Sequence, residues 1–131
     1  MTNHVPLILI VDDEDGIREL IKIGLMRSQC RVLEANDGAS AMEVIRGYSI
    51  DAVISDLFMP KVSGLELLVL MRAEGYLTPF ILMTAYEAED YTIKARSLGA
   101  FAVLKKPFEI NQIATLVLAA IERDTQYLRS A

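Results

Sequence analysis

Apolar residues gather into five short runs along this chain: Leu7–Val11, Arg31–Ala35, Asp51–Ser55, Pro79–Met83 and Phe101–Leu104. Their first residues lie 24, 20, 28 and 22 positions apart. Leu-Ile-Leu-Ile-Val, Ala-Val-Ile-Ser and Phe-Ile-Leu-Met are continuous rather than alternating. Continuity predicts strands covered on both faces, as in a parallel sheet. Arg31-Val-Leu-Glu-Ala is mixed and predicts an edge strand. Between the runs the apolar period changes to that of a helix. Ile17, Leu20, Ile21, Gly24 and Leu25 share one face of a helix starting near Glu14, and Ala41, Met42, Ile45 and Tyr48 do the same after Asp37-Gly38. Leu65, Leu68, Met71 and Arg72 follow Ser63, a candidate N-cap. Tyr91, Ala95 and Leu98 precede Gly99, a candidate C-terminal glycine, and Ile110, Ile113, Leu116, Val117, Ala120 and Ile121 mark a last helix. Strand and helix thus alternate five times. The fold class expected is α/β, a doubly wound five-stranded parallel sheet flanked by five helices.

Composition narrows the function. At 131 residues, 53% apolar and 24% charged, the chain fits one folded domain. That domain is expected over residues 5–122, with 123–131 a helix end or linker stub. The net charge of −5 disfavours direct binding to nucleic acid. One His and one Cys exclude an intrachain disulfide and any multi-His or multi-Cys metal site, and leave little for a nucleophilic triad. Cys30 reads as a packing residue and His4 as part of a loose terminus. No run approaches the roughly 20 apolar residues of a membrane span, and the start lacks a signal-peptide pattern. A cytoplasmic protein is expected, its chemistry carried by carboxylates, hydroxyls and lysines.

In an open parallel sheet, ligands bind outside the carboxyl ends of the strands. Asp12, Asp13 and Glu14 follow the first run, Asp56 the third, Thr84 and Ala85 the fourth, and Lys105, Lys106 and Pro107 the fifth. Asp12, Asp13 and Asp56 gathered together would repel one another unless offset by a cation. An all-oxygen site with room for water suits magnesium better than zinc, and the neighbouring strand supplies a lysine. Beside a metal, an aspartate is an acceptable nucleophile toward phosphorus, with an acyl phosphate as product. Taken singly, each of these residues is ordinary turn chemistry; together at one sheet edge they indicate phosphoryl chemistry.

These segments resemble the receiver domain of two-component response regulators. The matching stretches are Leu-Ile-Val-Asp-Asp-Glu (9–14), Ser-Asp-Leu-Phe-Met-Pro (55–60) with Ser63-Gly64, Met-Thr-Ala (83–85), and Gly99-Ala100 before Lys-Lys-Pro-Phe (105–108). The resemblance implies strand order 2-1-3-4-5. It implies that Asp56 is the phosphoacceptor and that Asp13, Asp12, Asp56 and the backbone carbonyl of Phe58 hold Mg2+. Lys106 would contact the phosphoryl group, Thr84 would be the switching hydroxyl, and Ala85 would be small so that its backbone can approach the phosphate. A cis peptide before Pro107 is also expected. The implied donor is a histidine kinase or histidine phosphotransfer protein. The implied readout is a downstream protein on the face of the fourth helix, fifth strand and fifth helix.

One position departs from the pattern: Val103 stands where relatives usually place Tyr or Phe. Phosphorylation is expected to survive this change, while the usual ring rotation is not. Period-two alternation would put Phe101 on the same face as Val103, where it could substitute only partly; ordinary core or edge packing is the reading preferred for it. Phe58 and Tyr86 are expected to flank the phosphate and restrict attacking water. Leu67, Val69 and Leu70, and Leu116 and Leu118, exceed what one buried face needs; wide stripes packing on a large sheet is the preferred reading, and a remainder left exposed would mark a partner or homodimer surface. The competing function classes fit less well. An aspartyl phosphatase needs a second acid where Phe58 stands, and a flavodoxin-type phosphate loop would not be acidic. A degenerate receiver, acting as a phosphorylation-independent interaction module, is the alternative that Val103 raises.

Overall fold

The computed structural model describes residues 4–85 and 89–130, with side chains for all of these except 89 and 125–130. Five strands, β1 (Leu7–Val11), β2 (Arg31–Ala35), β3 (Ala52–Asp56), β4 (Phe80–Thr84) and β5 (Ala102–Lys105), alternate with α1 (Asp15–Arg27), α2 (Gly38–Gly47), α3 (Gly64–Ala73), α4 (Glu89–Ser97) and α5 (Ile110–Ser130). The sheet is parallel throughout, in the order β2-β1-β3-β4-β5. Among the described residues, no helix is long and apolar enough to cross a membrane.

Every residue of β1, β3 and β4 is buried, as their unbroken apolar runs require, whereas the mixed β2 lies at the edge. Alternate strand residues feed two cores. Leu9, Val11, Val53, Phe80 and Leu82 pack with Met42, Ile45, Leu68, Met71 and Ala95 of α2, α3 and α4. Ile8, Ile10, Ile54, Ile81 and Met83 pack with Ile21, Leu25, Ile113 and Val117 of α1 and α5. Cys30 joins the second core, where burial pushes its thiol pKa up.

Local chemistry sets the helix ends. Ser63 caps α3 by accepting from the Glu66 N–H at 3.1 Å, while the Glu66 carboxylate accepts from the Ser63 N–H at 3.1 Å. Gly99 follows α4 with φ +88°, a conformation that favours glycine. Arg72 donates to the carbonyls of Leu98, Tyr76, Thr78 and Gly99 at 2.8–3.2 Å, tying α3 to the chain entering β4 and to the end of α4.

Several expectations shift. The third, fourth and fifth runs enter the sheet one residue late, so Asp56 and Thr84 are the last residues of their strands rather than the first beyond them. Hydrogen bonds from the Leu57 N–H to the Met83 carbonyl and from the Lys106 N–H to the Thr84 carbonyl, both 2.8 Å, continue the ladder past them. Leu20 and Tyr48 fall outside the buried faces, at 39% and 58% exposure; Tyr48 is the residue that ends α2. On the wide apolar stripes, Leu67 is buried while Val69, Leu70 and Leu118 are exposed.

Phe101 is a correction. It precedes β5 and packs against the α1–α5 core with Arg123 over its ring, whereas Val103 packs against the other core. Strand alternation does not apply to a residue in the bend before the strand, so Phe101 does not share the face of Val103.

Candidate functional site

Parallel register brings the carboxyl ends of four strands to one edge. Val11 is level with Ser55, Asp56 with Met83, and Thr84 with Lys105. The residues leaving these strands therefore meet, although up to 94 positions separate them in sequence.

Asp12 is fully buried, Asp56 is buried and Asp13 is exposed. Carboxylate oxygens from the three lie within 4.8 Å of one another. Lys106 Nζ stands 3.3 Å from Asp12 Oδ2 and 3.2 Å from Asp56 Oδ1, bridging the two buried acids. The second Asp12 oxygen accepts the Glu14 N–H at 2.9 Å. Arg18, which the sequence did not single out, donates to the Asp12 carbonyl at 2.6 Å and also pairs with Asp15 and Glu34. It ties the turn after β1 to α1 and β2.

The electrostatics follow from this crowding. Burial pushes the Asp56 pKa up; Lys106 pulls it back and Asp12 pushes it up again, for a net rise. Burial alone would lower the Lys106 pKa, but Asp12 and Asp56 outweigh it and the net shift is upward. The lysine stays charged, and the pocket holds more acid than one cation balances.

Backbone contacts fix the height of Asp56. Its carbonyl accepts from Ser55 Oγ at 3.0 Å. Gly64, the first residue of α3, packs so close that a Cβ there would stand 2.3 Å from the same oxygen. The Gly64 N–H donates to the Leu57 carbonyl at 2.8 Å. A Ser-Gly pair opening a helix is the only trace of this contact in the sequence.

Thr84 is buried, one position beyond the register partner of Asp56, and Ala85 is exposed beside it. Lys105 is exposed. The peptide between Lys106 and Pro107 is cis. Phe58, 52% exposed, meets Tyr91 of α4 edge to face, with ring centroids 5.9 Å apart at 84°. Val103, level with Leu82, is half-buried. Tyr86 lies outside the described residues.

The donor set fits magnesium: three carboxylates offer only oxygen, and two ligands of one Mg2+ ion lie at most about 4.2 Å apart, a span reached by small side-chain adjustments. Asp12 already uses both oxygens within the protein, which suits a role through water.

The chain is similar to known proteins in sequence and in fold. Escherichia coli (strain K12) regulatory protein AtoC is 34% identical over 115 residues, covering 88% of this chain and 25% of AtoC. Response regulator GtcR of Aneurinibacillus migulanus is 34% identical over 120 residues, covering 92% of this chain and 49% of GtcR. The chain thus spans a quarter to a half of these relatives. A response regulator receiver domain protein from Clostridium thermocellum superposes with a TM-score of 0.88 at 30% identity, covering 94% of this chain and 99% of its own. Thermotoga maritima TrrA, solved in complex with Mg(2+)-BeF, gives 0.79 at 30% identity, with 88% and 99% covered. The family model for the response regulator receiver domain matches residues 8–118, and the chain belongs to that family.

Proposed function

We propose that Asp56 accepts a phosphoryl group from the phosphohistidine of a histidine kinase or histidine phosphotransfer protein. A carboxylate oxygen of Asp56 forms the new O–P bond. The N–P bond of the donor breaks, and the imidazole nitrogen leaves with the electron pair. The observation that carries this reading is Lys106 Nζ, 3.2 Å from Asp56 Oδ1 and 3.3 Å from Asp12 Oδ2. That ammonium already stands where an oxygen of a phosphoryl group on Asp56 would need a donor. Thr84, at the end of the next strand, offers a second donor, and Ala85 leaves its own N–H open to approach.

Asp12, Asp13, Asp56 and the Phe58 carbonyl are the groups that would hold Mg2+, which when bound neutralises charge on the transferring phosphoryl group. The chain acts only on itself, in gaining and losing this group. The ring of Phe58, two residues beyond Asp56, limits the water that could hydrolyse the acyl phosphate. The signal leaves through a change in partner affinity on the face of α4, β5 and α5, or through pairing with a second copy.

Val103 favours one other reading, a phosphorylation-independent interaction module, because β5 carries no ring to respond to the site. Incubation with magnesium and acetyl phosphate decides between them. Intact mass should show one phosphoryl group on the native chain, none on Asp56→Asn and none in excess chelator. A native chain that stays unlabelled would leave the interaction module as the reading.

A further inference from the structure

Helix α4 is held lightly. Of its described side chains only Ala95 is buried, whereas α3, of similar length, buries Gly64, Leu65, Leu67, Leu68 and Met71. Tyr91, in the first turn of α4, is half-buried against the core that also takes Val103, Ala95 and Leu98. Its ring meets Phe58 edge to face at 5.9 Å.

Phe58 is not a remote surface residue. The residue before it, Leu57, is fixed on both sides, its N–H donating to the Met83 carbonyl and its carbonyl accepting the Gly64 N–H, both at 2.8 Å. Asp56 precedes that anchor. The Phe58 carbonyl is among the groups that would hold Mg2+, so occupation of the site that displaces it would pivot Phe58 about this anchor and move its ring, and the ring rests on α4. Because β5 reads Ala-Val-Leu-Lys, no aromatic side chain from that strand makes such a link.

We infer that Tyr91 is a positioning residue that couples the Asp56 edge to α4 through the ring of Phe58. This rests on the phosphoacceptor reading of Asp56. Coupling of this kind is reciprocal: if site occupancy shifts α4, the seating of α4 shifts the affinity of the site by the same factor. An edge-to-face ring pair biases such an equilibrium by roughly twofold to tenfold.

The test uses the full chain with magnesium and beryllofluoride as the phosphoryl stand-in. Amide hydrogen exchange is followed over residues 90–99, and beryllofluoride affinity is measured by titration. Tyr91→Phe keeps the ring; Tyr91→Leu keeps apolar bulk without it, and urea unfolding checks that both fold. The native chain and Tyr91→Phe should show the same exchange change in α4. Tyr91→Leu should lose most of that change and shift beryllofluoride affinity by roughly twofold to tenfold. Native response and affinity in Tyr91→Leu would overturn the inference, as would equal losses in Tyr91→Leu and Tyr91→Phe. Acetyl phosphate labelling of the native chain separates the two levels. A native chain that is not labelled defeats both, whereas a labelled chain with an α4 response independent of the ring defeats this inference alone.

Discussion

Replacing Gly64 by alanine should destabilise the fold and slow its phosphorylation together. The added Cβ would stand 2.3 Å from the Asp56 carbonyl oxygen, 3.1 Å from its carbon and 2.8 Å from Leu82 Cδ1. Ordinary contact begins near 3.4 Å, so about 1 Å must be found. Two of the three obstacles are backbone at the end of a buried strand, which no rotamer change relieves. Overpacking of this kind costs about 1–3 kcal/mol, and the lower entropy of an unfolded alanine chain offsets about 0.4–1 kcal/mol. The net expectation is a loss of about 1–2 kcal/mol, or roughly 3–10 °C in Tm at this chain length. Urea unfolding gives the first number and acetyl phosphate labelling the second. Ile113→Val is the control: it lies in the other core and costs about 0.5–1.5 kcal/mol. At comparable stability loss, Gly64→Ala should be labelled more slowly and Ile113→Val at the native rate. A Gly64→Ala chain as stable as the native one, or labelled as fast as Ile113→Val, would refute the claim that this contact sets the position of Asp56.

Other consequences are as direct. Asp56 has a folded pKa raised above its unfolded value of about 3.9, so its stability relative to Asp56→Asn is fullest below that value and declines as pH rises through the folded pKa. Urea midpoints in metal-free buffer should show the native chain falling behind the variant on the way to neutral pH; a gap that ignores pH would contradict this. Arg72→Met should cost about 2–4 kcal/mol, because four carbonyls lose a charged donor, and Arg72→Lys should recover little of it in the same unfolding assay. Ser63→Ala should cost about 1 kcal/mol by breaking the reciprocal cap, with Glu66→Ala non-additive beside it in a double-mutant cycle.

Much of this was legible in the chain because it is local or periodic. Unbroken apolar runs mark strands covered on both faces, and the mixed run of β2 marks an edge. Ser63 and Gly99 announce helix ends by residue type alone. The acids, Thr84 and Lys106 could be grouped because a parallel sheet sends all its carboxyl ends to one edge. What escaped depends on contacts across the fold. Phe101 lies one residue outside its strand, where alternation gives the wrong face. The close approach of Gly64 to Asp56, the four carbonyls gathered by Arg72, and the grip of Arg18 on the turn after β1 join segments with no shared local pattern. The ring of Phe58 on Tyr91 is of the same kind, since neither residue type nor spacing pairs a loop after β3 with the first turn of α4.

The central claim is that Asp56 carries the phosphoryl group. Borohydride reduces an aspartyl phosphate to homoserine, so the chain can be labelled with magnesium and acetyl phosphate, reduced, digested and mapped by mass spectrometry. Homoserine at position 56, absent when magnesium is chelated, is the result expected. Homoserine at position 12 or 13 instead, or reduction at no aspartate of a labelled chain, would contradict the account.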